Sequence, residues 1–428
     1  MNHFVTLDDP RDVPASPTPD ADPRETRDEV RRSASDDISP SLEQAHSTCP
    51  RQSMSDLPAW MQPFLTWMTG KPLPDQQPWF AIGPVLYVTW TLLQFATGVA
   101  LSAIGMLFPS HAGLLLIPAG WMLTIAAART MTDTLLHQAA HNQLFPRHPR
   151  WNNAIGDLCS IGAIARALCK YRPEHVVHHS RLAETVDQDI RFLLSLGFVP
   201  GRSIAWYWCR MVLQLISPSF HGRAICQRLN ANLTSGGWCR RVVFVLTWSM
   251  AVVVAIGSAA PATFVVALLF PLTVGVQAVN LIYVLTEHRW VRIRYVGESC
   301  RVMLCRMTSG RFLGAAYPNR SSDGWWKWLR WWLCVPLWIS QRIVIWAADT
   351  VAHDDHHRHP LSTNWTLAIY ERRDHAATIG AHDPPYTEIW GVCNAINATF
   401  ASFAAFPAGS KLGDAVVIDQ QENEEVSA

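Results

Sequence analysis

Two long stretches of the chain carry no charge at all. From Gln76 to Ala128, and again from Val242 to Thr286, there is no Asp, Glu, Lys or Arg. A membrane-spanning helix needs roughly 20 apolar residues, so each stretch is long enough for two crossings. Each also breaks near its middle, at Phe108–Gly113 (FPSHAG) and at Gly257–Ala262 (GSAAPA). The pattern predicts helices near Trp79–Leu107, Leu114–Leu136, Val242–Ile256 and Thr263–Leu285, paired as two membrane hairpins. The competing reading is a large soluble core, but soluble cores rarely sustain such charge-free length.

The flanks orient these hairpins. The breaks inside each pair hold no Lys or Arg, whereas Arg147, Arg150, Arg166, Lys170, Arg172, Arg240, Arg241, Arg289, Arg292 and Arg294 crowd the other ends. Positive residues stay on the cytoplasmic side, which places both termini, the central stretch and the region after the fourth helix there. Six of the 20 tryptophans fall in Trp325–Trp338 (WWKWLRWWLCVPLW). Indoles favour the membrane–water boundary, and Lys327 and Arg330 interrupt the run. Residues Trp325–Ala348 are therefore expected to form a helix in or near the interface, not a fifth span; a Trp-rich packing surface is the alternative.

Composition then sets the ends and excludes some partners. Residues 1–57 are rich in Asp, Pro, Ser and Arg and poor in aromatics, too polar to offset the entropy of ordering, and are expected to be a disordered arm. Residues 58–400 are expected to form one membrane-embedded domain, and 401–428 a flexible tail. The acidic, Pro-rich N-terminus does not read as a signal peptide. The formal net charge of +1 carries no polyanion signature, so no nucleic-acid partner is expected. The ten cysteines are scattered without a C-x-x-C pair, which fits reduced thiols rather than a disulfide framework or zinc ribbon.

Histidine is the residue that changes the picture. His175, His178 and His179 are spaced i, i+3, i+4, as are His353, His356 and His357; His137 and His141 are an i, i+4 pair. On a helix each set shares a face. At this histidine content a given H-x-x-H-H is expected roughly 0.03 times by chance, so two copies need a cause. His288 ends the fourth predicted span. All of these clusters fall on the predicted cytoplasmic side, although none was used to assign the spans. The expected fold is thus all-α and integral to the membrane: four transmembrane helices in two hairpins with a cytoplasmic histidine-rich helical cap.

Nine imidazoles on one side suit a metal centre. Imidazole binds zinc, copper, iron and nickel, so ligand type alone does not choose. A closed zinc site takes four ligands, so nine fit two ions better than one. Asp133 and Asp349, each one turn before a cluster histidine, are candidates to accept the second ring N–H, with a solvated or capping role as the alternative. Glu174, Glu184, Asp187 and Asp189 read as structural or supporting rather than ligating. Glu287 is adjacent to His288, but neighbouring helical residues point about 100° apart, so it is not expected at the same contact. His3, His46, His111, His148, His221, His375 and His382 stand apart, and His359 in HRHP reads as a turn or packing residue.

With these boxes in place, the sequence resembles the membrane fatty acid desaturase and hydroxylase superfamily. The resemblance covers about Pro78 to Pro360. It rests on HxxxH (137–141), two HxxHH boxes (175–179 and 353–357), His288 in TEHRW, and ETVDQD after the second box, similar to a TNxxxDPD run common in that family. It departs in three ways: the third box begins with His rather than the Gln of front-end desaturases, no H-P-G-G haem motif is present, and the first box has three residues between its histidines rather than the four of animal acyl-CoA desaturases.

The resemblance implies a non-haem diiron centre that uses O₂ to attack an unactivated C–H bond. Its ligands would be His137, His141, His175, His178, His179, His288, His353, His356 and His357. The implied activity is that of an oxidoreductase introducing a double bond into a fatty acyl chain. A hydroxylase or ketolase of a lipid or carotenoid on the same scaffold is one alternative, and a membrane metal-binding or transport protein another. Transporters usually place ionisable groups near the midplane, whereas the stretches Gln76–Ala128 and Val242–Thr286, from which the spans are read, carry no charge. No dinucleotide fingerprint and no haem or iron–sulfur motif is present, so electrons are expected from a separate ferredoxin- or cytochrome-type donor.

Overall fold

The computed structural model describes residues 49–319, 321–380 and 383–406, and the short strand Val416–Ile418. The expected disorder of residues 1–48, most of the expected C-terminal tail, and His3, His46 and His382 lie outside the described residues. The described chain is mostly helical. Its helices are α1 (Gln62–Thr69), α2 (Pro84–Leu107), α3 (His111–Ala140), α4 (Pro149–Gly162), α5 (Leu168–Ser180), α6 (Gln188–Ser195), α7 (Ile204–Leu215), α8 (Pro218–Thr234), α9 (Trp238–Gly257), α10 (Pro261–Glu287), α11 (Cys300–Arg306), α12 (Trp325–Val344), α13 (His353–Arg358), α14 (Ala368–Ala377) and α15 (Val392–Ala405). Two parallel strand pairs join distant segments: β1 (Ile293–Tyr295) with β4 (Val416–Ile418), and β2 (Gly310–Phe312) with β3 (Glu388–Trp390).

Four helices, α2, α3, α9 and α10, are long and apolar enough to cross a membrane. No more than 33% of the most apolar stretch of any of them is buried within the protein. Val245, Leu246, Met250, Val253 and Ile256 on α9 are exposed, an apolar surface that water would not tolerate at this size. Local chemistry sets where the helices begin. Prolines open α2, α4, α8 and α10, positions where their missing N–H costs nothing. At α3 the Ser110 hydroxyl accepts from the Gly113 N–H at 3.0 Å, satisfying one of the orphan donors of the first turn.

Small residues let α2 and α3 approach closely. A methyl group at Gly98 would lie 2.6 Å from the Thr124 backbone nitrogen, and one at Gly105 would lie 2.5 Å from the Gly113 carbonyl oxygen. Ser102 Oγ donates to the Ile117 carbonyl at 3.0 Å across the same seam. Such seams replace the hydrophobic drive that is absent between helices in lipid. Below its apolar part α3 contains a π-helical turn, Met131–Leu136, immediately before His137.

Beyond the four long helices lies an aromatic core. Trp290, Trp346, Tyr207, Phe198, Phe400 and Phe403 are buried in one cluster. Their polar atoms have partners: Trp346 Nε1 donates to Thr286 Oγ1 at 3.0 Å, and Trp290 Nε1 to the Val284 carbonyl at 2.8 Å. Helix α12 is the Trp-rich segment. It buries Trp331 and Trp338 and leaves Trp325, Trp326 and Trp332 exposed. Its last turn is anchored by buried Arg342, which donates from Nε to the Trp67 carbonyl at 2.8 Å. It stops at Val344, four residues before the expected end, and Ala348 then turns the chain with φ +53° to aim α13 inward.

The packed chain is longer than residues 58–400. Arg51 is buried and donates to the Lys71 carbonyl and to Thr66 Oγ1, both at 3.0 Å, and Met54 joins the core. At the other end α15 runs to Ala405, and Phe403 and Phe406 are buried. Both boundary shifts have the same cause: a few apolar or guanidinium anchors just outside a polar segment suffice to dock it.

The α2–α3 seam yields a prediction. Gly120→Ala would press its methyl group onto Ser102 and the Gly98 backbone, and overpacking of this kind costs about 1–3 kcal/mol. Thermal unfolding in detergent should show a clear loss, whereas Gly222→Ala, where a methyl group meets nothing within 4 Å, should leave stability unchanged or slightly raised.

Candidate metal centre

The nine predicted imidazoles come together, and they divide into two adjacent groups. His137, His141, His175, His179 and His356 form one; His178, His288, His353 and His357 form the other. Helix phase explains the division. On α5 the i, i+4 pair His175 and His179 points within about 40° of one direction, while His178 lies about 100° from His179. The pair therefore serves the first group and His178 the second. On α13 the roles are exchanged: the i, i+4 pair His353 and His357 serves the second group and His356 the first. The two groups touch where the His179 and His357 rings stack, with centroids 4.2 Å apart.

The nitrogens face one another in a way hydrogen bonding cannot satisfy. His356 Nε2 lies 2.7 Å from His137 Nε2, 3.1 Å from His141 Nε2 and 3.2 Å from His179 Nε2. His175 Nε2 lies 2.9 Å from both His141 Nε2 and His179 Nε2. A ring nitrogen carries either one proton or one lone pair, so one atom cannot bond to three others of its kind. In the second group the Nε2 atoms of His178 and His288 are 3.1 Å apart, as are those of His357 and His353. Convergent imidazole lone pairs are what a cation requires, so the donor set fits metal ions.

The electrostatics keep most of these lone pairs free. Burial, reinforced by repulsion from neighbouring rings, holds His175, His179, His356 and His357 well below the ordinary histidine value. Burial also lowers His141, to about 4. His178 is different: burial would lower it, but the hydrogen bond and charge of Asp187, joined by Asp189, raise it to about 9.

Asp187 is fully buried and is the principal carboxylate behind the rings. Both of its oxygens lie 3.2 Å from His178 Nδ1, and they also accept from the Ala183 N–H at 2.9 Å and the Asp189 N–H at 3.0 Å. Three contacts fix the carboxylate, and it in turn fixes the ring with Nε2 toward the group. Tyr171 stacks on His175 with centroids 5.2 Å apart.

The two acids expected behind the rings do other work. The Asp133 carboxylate pairs with Arg129 at 2.5 Å and accepts from Thr132 Oγ1 at 2.8 Å; its backbone carbonyl, not its side chain, meets His137 Nδ1 at 3.1 Å. The π turn between them displaces the carboxylate from the ring. Asp349 accepts from Thr134 Oγ1 at 2.6 Å and from Gln138 Nε2 at 3.2 Å. It ties the approach to α13 onto α3, because the 3-10 turn Thr350–Ala352 separates it from His353. Glu287, expected elsewhere, places Oε1 3.0 Å from His353 Nε2. Nor does His375 stand apart: with His359 it flanks Asp355, whose Oδ1 meets the two Nδ1 atoms at 2.9 and 3.1 Å. ETVDQD was the one sequence signal for Asp187; nothing in the local pattern marked Glu287 or His375.

A cavity of about 140 Å³ reaches both groups. His137 and His175 line it from the first, His178 and His353 from the second, and Asp133, Tyr171, Asn280 and Glu287 are among the other side chains in its wall. No protein family and no curated protein sequence matches the chain.

Loss of a carboxylate behind a metal-binding histidine typically lowers metal affinity 10–100-fold. Asp187→Ala should therefore weaken metal uptake by that factor at one of two sites, read by titrating chelator-stripped full-length protein, while His148→Ala should match the wild type.

Proposed function

We propose that the chain is an integral-membrane, O₂-dependent non-haem diiron oxidoreductase of the desaturase and hydroxylase type, which introduces a double bond into a fatty acyl chain. The observation that carries this reading is the convergence of nine histidines into adjacent groups of five and four beside helices apolar enough to span a bilayer. Two irons held there would supply removal of two hydrogens from an unactivated CH₂–CH₂ pair, with one O₂ and two electrons consumed, two protons taken up and two waters released. Zinc has no redox chemistry, and histidine-only sets also accept copper or nickel; the choice of iron rests on the resemblance of the three boxes and His288 to the superfamily.

The protein's own residues have defined tasks in this reading. The nine imidazoles hold the ions, Asp187 orients His178, and Asp349 keeps α13 docked on α3 so that the first and third boxes meet. The cavity against both groups, lined by imidazoles and carboxylates, is unsuited to an acyl chain. The substrate is placed instead along the apolar faces of the spans, which must present one carbon pair to the irons. In this reading the spans form two hairpins with the histidine-rich cap and both termini on the cytoplasmic side, in keeping with the arginine distribution. A ferredoxin- or cytochrome-type protein delivers electrons to that face. Hydroxylation or ketone formation is the alternative outcome on the same site.

Active protein should contain about two irons per chain, in keeping with the two histidine groups; full activity with stoichiometric zinc and no iron would sink the assignment. Lipid profiling of cells with and without the protein under ¹⁸O₂ separates the outcomes: loss of two hydrogens without label means desaturation, and incorporated label means oxygenation. For topology, single cysteines replacing His111 and Ala260 should react with an impermeant reagent from outside, and cysteines replacing Arg172 and Arg301 only from the cytoplasm. Reaction of the last two from opposite sides would break the assigned orientation.

A further inference from the structure

The two histidine groups are unequal, and a buried carboxylate stands at the edge of the smaller one. Glu287 ends α10, the first charged residue after the charge-free stretch that begins at Val242. It is 8% exposed. Its Oε1 lies 3.0 Å from His353 Nε2 and accepts from the Tyr283 hydroxyl at 3.0 Å. Among the described residues His353 is its one ion-pair partner given by the geometry.

His353 Nε2 also faces His357 Nε2 at 3.1 Å, and His353 belongs to the four-histidine group. If that nitrogen gives its lone pair to a cation, it has no proton to donate to Glu287. A lone pair and a carboxylate oxygen 3.0 Å apart then repel, unless the same cation lies against both. The spacing suits that arrangement. Two ligands about 2.1 Å from one ion and at right angles are about 3.0 Å apart, and the His–His and His–Glu contacts of this group have that length.

The backbone explains how consecutive residues reach one place. Glu287 is the last helical residue of α10, while His288 is extended, with φ −142° and ψ 161°. The helix ends between them, so the about 100° step between helical neighbours does not apply. The carboxylate also lines the cavity that touches both groups. Two divalent ions among neutral imidazoles would otherwise leave their whole charge in a buried place, which a carboxylate in contact offsets.

We infer that the Glu287 carboxylate is the fifth ligand of the four-histidine ion, bound from the cavity side, with the Tyr283 hydroxyl holding it in place. The inference rests on the two-ion reading of the site but not on iron or on any activity.

The test uses Co²⁺ as the probe, added to chelator-stripped full-length protein in detergent and followed by d–d absorption and by infrared difference spectra. Wild type should take up two equivalents, and the second should shift a carboxylate stretching band. Glu287→Gln should bind one equivalent as tightly as wild type and the other at least 10-fold more weakly, without that band. Formate added to Glu287→Ala should restore the second equivalent. Equal binding of both equivalents by Glu287→Gln, or no carboxylate band shift in the wild type, overturns the inference; the second readout needs no variant to fold. Uptake of fewer than two equivalents by the wild type instead overturns the two-ion reading on which it rests.

Discussion

The constraint on which the site depends is that buried imidazole nitrogens cannot satisfy one another. His356 Nε2 faces three other ring nitrogens within 3.2 Å, and a chain without a cation there would bury several lone pairs against each other. Burying polar groups without partners is costly, and the convergent rings form a cage that could hold cations. Much of the surrounding structure serves to hold it. Asp187 orients one ring, Asp349 bolts the third box to α3, and Trp346 and Trp290 wedge the end of α10 against the segment before α13.

The interleaving of the second and third boxes is the geometric core of that cage. Each box spans one helical turn, and one turn of helix presents an i, i+4 pair in one direction and the i+3 residue in another. Two such turns placed against each other, with their roles exchanged, fill two adjacent groups at once. Neither group could be built from one box alone. The first box and His288 then add the remaining rings, two to one group and one to the other.

The spans and the nine histidines were legible in the sequence because both signals are local and periodic. Charge-free length marks a helix that needs no aqueous surface, and i, i+3, i+4 spacing marks one face. What failed to show was set by departures from regular helix. The π turn at Met131–Leu136 moved the Asp133 carboxylate away from His137. The 3-10 turn after Asp349 did the same for His353, and the extended conformation of His288 brought Glu287 to a contact that helical spacing forbids. His375 joined Asp355 across a loop, a pairing that no local pattern contains. The ends of the packed chain were also misplaced, because Arg51 and Phe406 dock through tertiary contacts.

The order of the boxes along the chain has a consequence for biosynthesis. Each histidine group takes rings from α13, which follows His137 by more than two hundred residues. The first group is complete only when the ribosome has passed His356 and the second only when it has passed His357, after all four apolar helices have been made. Up to that moment the nascent chain displays imidazoles from the earlier boxes in partial sets, open to whichever soft cation is abundant. A cation that needs the full set of rings in either group could be held only after α13 has arrived.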